Sequence, residues 1–367
     1  MVDLVQIAPN YPPIVCGVGD HAAQMVPEFE RLGAQLYTVV ANEHPISEAG
    51  KSLNGVRSAQ ALTDALHGSG AEAVIAHFSG YGYARNGLCV WLVEGLNSWK
   101  DERPQGRIVT IFHEVYATGP IWRRSFWTSR PQRRIARDLA RISDRCFVSS
   151  AVGAAQLHKI GAPGVCEVLP VFSNVGEPAE VAPLFDRPPQ AVVFGGRGQR
   201  RRVYEALKRH PRQTEKLLSD LKIDRILDIG PDLQVADRIA RRPVEALGVL
   251  PADRVSETLL ASRLGLLDYP GNRLTKSGIL AAYLAHGVFA FNLGDDAALA
   301  GGADAPPHNA GFVSLDSIAA QGPTTAAAGH AWYRKHGVAV VARRLFEAAG
   351  TGTLPTTGAH RAPDSDA

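Results

Sequence analysis

The densest concentration of reactive side chains is Gly195-Gly196-Arg197-Gly198-Gln199-Arg200-Arg201-Arg202, directly after the apolar run Ala191 to Phe194. Glycines let backbone N–H groups approach an anion closely, and guanidinium groups offer fixed donors to phosphate oxygens. Four arginines within six residues repel one another unless an anion answers them. A diphosphate is therefore the expected ligand, with Arg197 and Arg202 as its side-chain contacts. A second cationic turn, Leu274-Thr275-Lys276-Ser277-Gly278, opens the apolar stretch ILAAYLAHG. Lys276 and Ser277 would there stand beside the free amides of a helix N-terminus and hold the same phosphates. The alternative is that Thr275 or Ser277 serves only as an N-cap.

Three further segments carry chemistry. His113-Glu114 ends the run IVTIF, which places an imidazole at the carboxyl edge of a parallel sheet, where it can hydrogen-bond a hydroxyl or carry a proton. His77 holds the same kind of position after AVIA with the weaker claim, and a structural role is the alternative for both. HEVYA lacks the second histidine of H-E-x-x-H, so no zinc motif is read there. Gly17-Val18-Gly19-Asp20 precedes a helical pattern from Gln24 to Arg31, and Gly17, Gly19 and Asp20 form a candidate ligand-proximal loop. The same glycines with Ala22 match a G-x-G-x-x-A dinucleotide fingerprint, with Glu43 as its acidic residue, which keeps a nicotinamide-dependent oxidoreductase as one alternative. Against it, Pro9 to Cys16 separate the first strand from Gly17, and a plain capping loop is the third option. Residues Trp122 to Arg145 interleave eight arginines with Trp122, Phe126 and Trp127, which suits a membrane surface or an anionic, lipid-linked partner. A solvated helix face paired with Asp138 and Asp144 is the competing reading. Asp295-Asp296 is too isolated to read as a metal site, and neither G-x-S-x-G nor a Walker loop occurs.

The elements that must position these groups are short β-branched runs alternating with amphipathic segments, the pattern of a parallel sheet with crossover helices. Leu4 to Ala8, Gln35 to Ala41, Ala73 to His77, Arg107 to Phe112, Arg145 to Ser149 and Cys166 to Pro170 form one series. Ala191 to Phe194, Arg225 to Ile229, Ala246 to Leu250, Leu264 to Asp268, Val288 to Asn292 and Gly311 to Leu315 form a second. The expected fold is α/β, with two facing doubly wound Rossmann-like domains: residues 1–172, a proline-rich linker over 173–190, and a second domain over 191–325. Helices over 326–349 should pack back toward the first domain, and 350–367 should be disordered.

At 367 residues, two domains are the ordinary expectation, and 20% charged residues with a net charge of +3 leave no global basic field for nucleic acid. The four cysteines form no CxxC pair, and no run of 18 apolar residues occurs, which fits a cytoplasmic chain without a membrane span.

Read in order, these segments resemble the GT-B glycosyltransferases of the family 4 grouping. YPPIVCGVGDHAAQMVPEFERLGAQLYTVV looks like that family's opening loop, helix and strand, and VTIFHE like the strand delivering its active-site histidine, here His113. FGGRGQRRR resembles its basic loop, with Arg197 and Arg202 in those roles. LGVLPADRVSETLLASRLGLLDYP resembles the stretch leading to the donor site, which places Val249 and Leu250 near the nucleotide base. KSGILAAYLAHGVFAF resembles the following helix and strand. The family's E-x7-E glutamates are missing: alignment on Gly287 puts Leu274 and Ala282 there. The resemblance implies a hexosyltransferase of glycan biosynthesis that moves sugar from a nucleotide-sugar to a sugar, glycan or lipid-linked acceptor, with retention. No cofactor and no metal are expected, since fixed cations and a helix N-terminus can stabilise the leaving phosphate, and the charge balance and cysteine pattern point to no nucleic-acid partner and to the cytoplasm or the inner membrane face. A degenerate GT-B scaffold that binds nucleotide or glycan without catalysis is the remaining alternative.

Overall fold

The structure is a computed structural model that describes residues 2–14, 16–43, 52–119, 122, 124–162, 166–294, 305–310, 312 and 318–350. The expected Gly311–Leu315 strand lies almost wholly outside these residues, as do Asp295-Asp296 and the tail beyond Gly350.

In chain order the strands are β1 Val2–Ala8, β2 Ala34–Val40, β3 Ser52–Leu53, β4 Ala73–Ser79, β5 Arg107–Glu114, β6 Arg145–Val148, β7 Cys166–Val168, β8 Gln190–Phe194, β9 Arg225–Ile229, β10 Arg238–Ile239, β11 Arg242–Gly248, β12 Leu264–Leu267, β13 Phe289–Asn292 and β14 Asn309–Ala310. The helices are α1 Gly17–Arg31, α2 Ala59–Gly68, α3 Gly80–Tyr83, α4 Val90–Glu102, α5 Arg124–Ile142, α6 Ala151–Lys159, α7 Arg197–Arg209, α8 Pro211–Asp220, α9 Ala252–Leu260, α10 Gly278–Ala285, α11 Ile318–Tyr333 and α12 Val338–Ala349.

Two seven-stranded sheets result, in the orders β3-β2-β1-β4-β5-β6-β7 and β10-β11-β9-β8-β12-β13-β14. Every pairing is parallel except the β10–β11 hairpin. Helices cover both faces, so central strands such as AVIAHFS are buried along their whole length and read as continuous apolar runs rather than as alternating ones. In each sheet the strand order reverses once, between β1 and β4 and between β8 and β12, and such reversals open a crevice at the carboxyl ends of the strands.

The boundaries differ from expectation in four places. α1 begins at Gly17 rather than near Gln24, because buried Gly19 lets the helix start lie against the preceding loop: a Cβ there would stand 2.4 Å from the Asn10 carbonyl oxygen. α7 begins at Arg197, whereas the helical pattern of the sequence reads only from Arg202 to Arg209. β11 starts at Arg242, since the hairpin with β10 extends it. Of the terminal helices, α12 alone crosses back: Val341, Ala342 and Leu345 share a core with Leu4, Met25 and Phe29. α11 stays on the second sheet, against α10 and β13.

The stretch 173–190 is fastened down. Buried Arg187 donates to the carbonyls of Ala182, Ser262 and His286, and the Ser173 N–H donates to the Tyr333 hydroxyl at 2.7 Å. The two sheets also meet where Thr275 donates its hydroxyl to the Ser149 carbonyl at 2.7 Å and accepts from the Val171 N–H at 2.9 Å. Thr275 is thus a tether between the halves, not a cap.

Candidate active site in the interdomain cleft

His77 pairs in register with Ile111, and His113 lies two residues beyond Ile111, so both imidazoles fall on one face of the first sheet. The register slips between Phe112 and Glu114 and leaves His113 as the unpaired residue at the strand's end. That face is covered by α1, whose first turns bring His21 onto the same spot. The three rings form one cluster beside the β1/β4 reversal. His77 Nδ1 lies 3.3 Å from His113 Nε2, the His21 and His113 rings meet edge-on with centroids 4.9 Å apart, and His21 stacks on Phe172 at 4.2 Å. Burial, reinforced by the neighbouring positive charge of Lys276, pulls the His113 pKa down to about 3. His21 and His77 are also held well below the ordinary value, by burial first and then by His113. At neutral pH His113 therefore acts as a neutral hydrogen-bonding group, not as an acid.

Lys276 reaches this cluster from the second sheet. It ends a short 3-10 turn, Gly271 to Lys276, and its Nζ sits 3.1 Å from Glu114 Oε1 across the cleft. His113, Glu114, Lys276, Gly17 and Gly278 line a common cavity of about 320 Å³. Ser277 caps α10, its Oγ accepting from the Leu280 N–H at 3.2 Å, which is the structural alternative kept open for it. Gly278, the first residue of α10, lines the cavity.

The arginine cluster resolves differently from its sequence reading. Arg200 is buried, and its charge is answered inside the protein. It pairs with Asp228, which also accepts from the Tyr204 hydroxyl at 2.7 Å, and it donates to the Gly195 and Pro231 carbonyls. Arg202 is half-exposed and spans the β8/β12 reversal to Asp268, at 2.9 Å. Arg197 and Arg201 are exposed and make no ion pair with a described residue. Half of the supposed need for an external anion thus disappears. Neither Arg197 nor Arg202 lines the cavity that holds Lys276. The two cationic segments nevertheless adjoin, since a Cβ on Gly195 would stand 2.5 Å from Ile279 Cδ1 at the start of α10. Beside that contact, Gln199 buries its side-chain amide with both polar atoms unpartnered. Sequence reading passed over Gln199 because a glutamine among arginines carries no pattern of its own.

Gly17 faces open space at the cavity wall, whereas Gly19 is consumed by the Asn10 contact, so only Gly17 is free to admit a ligand. Burial raises the pKa of half-buried Asp20 from its ordinary value, against a lowering hydrogen bond from the Cys16 backbone. Val249 is exposed and Leu250 half-buried just after β11, on the same strand-end edge as Gly195 and Gly230. Leu274 and Ala282 are fully packed core residues, so no carboxylate enters from their positions. Trp122, just before α5, is 82% exposed, and Trp127 on α5 is 69% exposed. Asp138 pairs with Arg137 and Arg141, while Asp144 turns instead to Lys100 and Arg107. Among the described residues no helix is long and apolar enough to cross a membrane.

No family model matches the sequence, and no curated protein matches it. Solved structures do match over almost the whole chain. An alpha-glucosyltransferase in complex with UDP-glucose and DNA containing an abasic site superposes with a TM-score of 0.59 at 11% identity, over 95% of this chain and 99% of that one. The fold is GT-B. AviGT4, a glycosyltransferase involved in Avilamycin A biosynthesis, gives 0.55 at 14% identity over 94% and 96% of the two chains. The trehalose-6-phosphate protein from E. coli bound with UDP-2-fluoro glucose gives 0.58 at 10% identity over 96% and 99%. At such identities the likeness is one of GT-B architecture, and function must be argued from the cleft.

Proposed function

We propose that the chain is a glycosyltransferase of the hexosyl type, moving sugar from a nucleoside-diphosphate-sugar in the cleft to a sugar, glycan or lipid-linked acceptor. The observation that carries this reading is the meeting of Lys276 and the α10 N-terminus with His113 and Glu114 at the cleft floor. One half brings cationic and amide donors, and the other brings a neutral imidazole. Departure of a nucleoside diphosphate builds negative charge on the leaving phosphate, which fixed cations and a helix N-terminus stabilise without a metal ion at the diphosphate. Lys276, Arg197 and Arg202, with Gln199 and the glycine turn at Gly195, supply that side, and Val249 and Leu250 stand toward the base. His113 supplies a hydrogen bond to a hydroxyl of the transferred sugar. Retention of anomeric configuration follows from the family resemblance, and UDP or UDP-sugar in the matching GT-B structures agrees with such a donor. Exposed Trp122 and Trp127 with the arginines of α5 suit a lipid-linked or anionic acceptor at a membrane surface.

The test is nucleoside-diphosphate release from a panel of UDP-, GDP- and ADP-sugars with candidate acceptors. A turning-over pair should be found, and His113→Ala should lower its turnover far more than its donor affinity. Equal loss of both would make His113 a general donor contact. Nucleotide binding without release from any pair would favour the non-catalytic scaffold.

A further inference from the structure

The three histidines are more than the sugar-side contact requires. His21, His77 and His113 are all buried, and each offers a ring nitrogen within 4.8 Å of the other two. They come from three elements, α1, β4 and β5, and gather at the one place where the first sheet's strand order reverses. Two of their nitrogens, His21 Nδ1 and His77 Nε2, are buried with no hydrogen-bond partner. An unpartnered buried polar atom costs about 1–3 kcal/mol, and an ion held by His77 Nδ1 and His113 Nε2 would satisfy the His21 nitrogen.

We propose that His21, His77 and His113 form a binding site for one divalent transition-metal ion of the zinc class, with an open coordination position facing the cleft. Imidazole nitrogens bind zinc at about 2.0–2.1 Å, so two ligands at a tetrahedral ion stand about 3.4 Å apart. His77 Nδ1 and His113 Nε2 are already 3.3 Å apart. The His21 nitrogen closes the remaining gap by a small ring rotation. Three histidines leave a fourth tetrahedral position vacant, the arrangement of a zinc ion that accepts water or a substrate oxygen. That position has an approach route, because His21 and His113 both line the cavity bounded by Gly17, Glu114 and Lys276. The ligand class it would take from the cleft is a hydroxyl or other oxygen donor. The site lies across the shared cavity from Lys276 and shares His113 with the sugar contact proposed above, but the diphosphate groups Lys276, Arg197 and Arg202 are not among its ligands. Sequence reading expected no metal because the three residues are 36 or more positions apart and fit no spacing motif.

Untagged protein, stripped with chelator and dialysed, would be titrated with Co(II) while its visible absorption is followed, and with Zn(II) by calorimetry. The expected result is one equivalent of each, with Co(II) bands of a four- or five-coordinate nitrogen site that Zn(II) abolishes. His77→Ala and His21→Ala, checked for folding by circular dichroism, should weaken Zn(II) binding by at least about 100-fold, since loss of outer-shell support alone costs 10–100-fold. Absence of stoichiometric uptake by the wild type would overturn the proposal, as would uptake unchanged in folded His77→Ala. Should both variants fail to fold, X-ray absorption of the wild-type Zn(II) complex decides: three imidazole ligands support the site, and fewer refute it. Nucleoside-diphosphate affinity measured on the same stripped protein keeps the two readings apart: failed metal uptake with diphosphate binding intact sinks only the metal site, and metal uptake without diphosphate binding sinks only the donor site.

Discussion

Asp228→Ala tests how the arginine-rich turn is held together. Arg200 and Asp228 are 1% and 3% exposed at the side chain, so the substitution would strand a guanidinium that water cannot reach. Its remaining partners, the Gly195 and Pro231 carbonyls, satisfy two donors but carry no charge, and the Tyr204 hydroxyl would lose its acceptor as well. Breaking a buried pair by removing one member costs about 3–5 kcal/mol. With an m-value of about 3 kcal/mol/M for urea, the unfolding midpoint should fall by about 1–1.7 M. Arg200 also ties the turn after β8 to the turn after β9, so the folded variant should bind nucleoside diphosphate more weakly. A double variant, Arg200→Met with Asp228→Leu, should recover much of the stability, because no uncompensated charge remains. A loss below about 1 kcal/mol for Asp228→Ala, with equal or greater loss in the double variant, would refute the reasoning.

The two helix-opening glycines should separate cleanly. Gly19→Ala places a methyl 2.4 Å from the Asn10 carbonyl and should cost about 1–3 kcal/mol in thermal unfolding, whereas Gly17→Ala meets nothing within 4 Å and should leave stability nearly unchanged while altering ligand affinity. His286 donates through Nδ1 to the Ala282 carbonyl and accepts from Ser256, and burial, opposed by the bond to Ala282 but reinforced by Arg187 and His330, pulls its pKa to about 4. The unfolded chain therefore takes up this proton first. The contribution is complete above pH 6.5 and is lost as pH falls toward 4, at up to about 1.4 kcal/mol per pH unit. His286→Gln should flatten the urea-measured stability profile over that window by one proton, and an unchanged slope would show that the imidazole is not kept neutral by the fold.

Much of this architecture was legible because parallel strands buried on both faces leave apolar runs such as IVTIF and AVVF, and because glycines and cations cluster at their carboxyl ends. His113 and Lys276 could be found that way, since each sits where a strand or helix pattern changes. His21 could not, because its role depends on α1 folding across β4 and β5, a contact no local period records. Arg200 looked like its neighbours in sequence. Its partner Asp228 lies 28 residues away on the next strand, and only the parallel pairing of β8 with β9 brings them together. The onset of α1 and α7 was misplaced for one reason: glycine in a first turn reads as loop by propensity, yet at Gly19 close packing demands it.

The central claim is that a diphosphate is held between the β8–α7 turn and the start of α10. Calorimetry of UDP, GDP and ADP against the matching nucleosides, on the wild type, Arg202→Ala and Lys276→Ala, tests it directly. Hydrogen bonds to charged groups are worth about 1.5–3 kcal/mol. Because Arg202 must leave Asp268 and Lys276 must leave Glu114 to engage phosphate, the low end is expected. Each variant should lose about tenfold in diphosphate affinity, with nucleoside affinity unmoved. Unchanged diphosphate affinity in both variants would contradict the account.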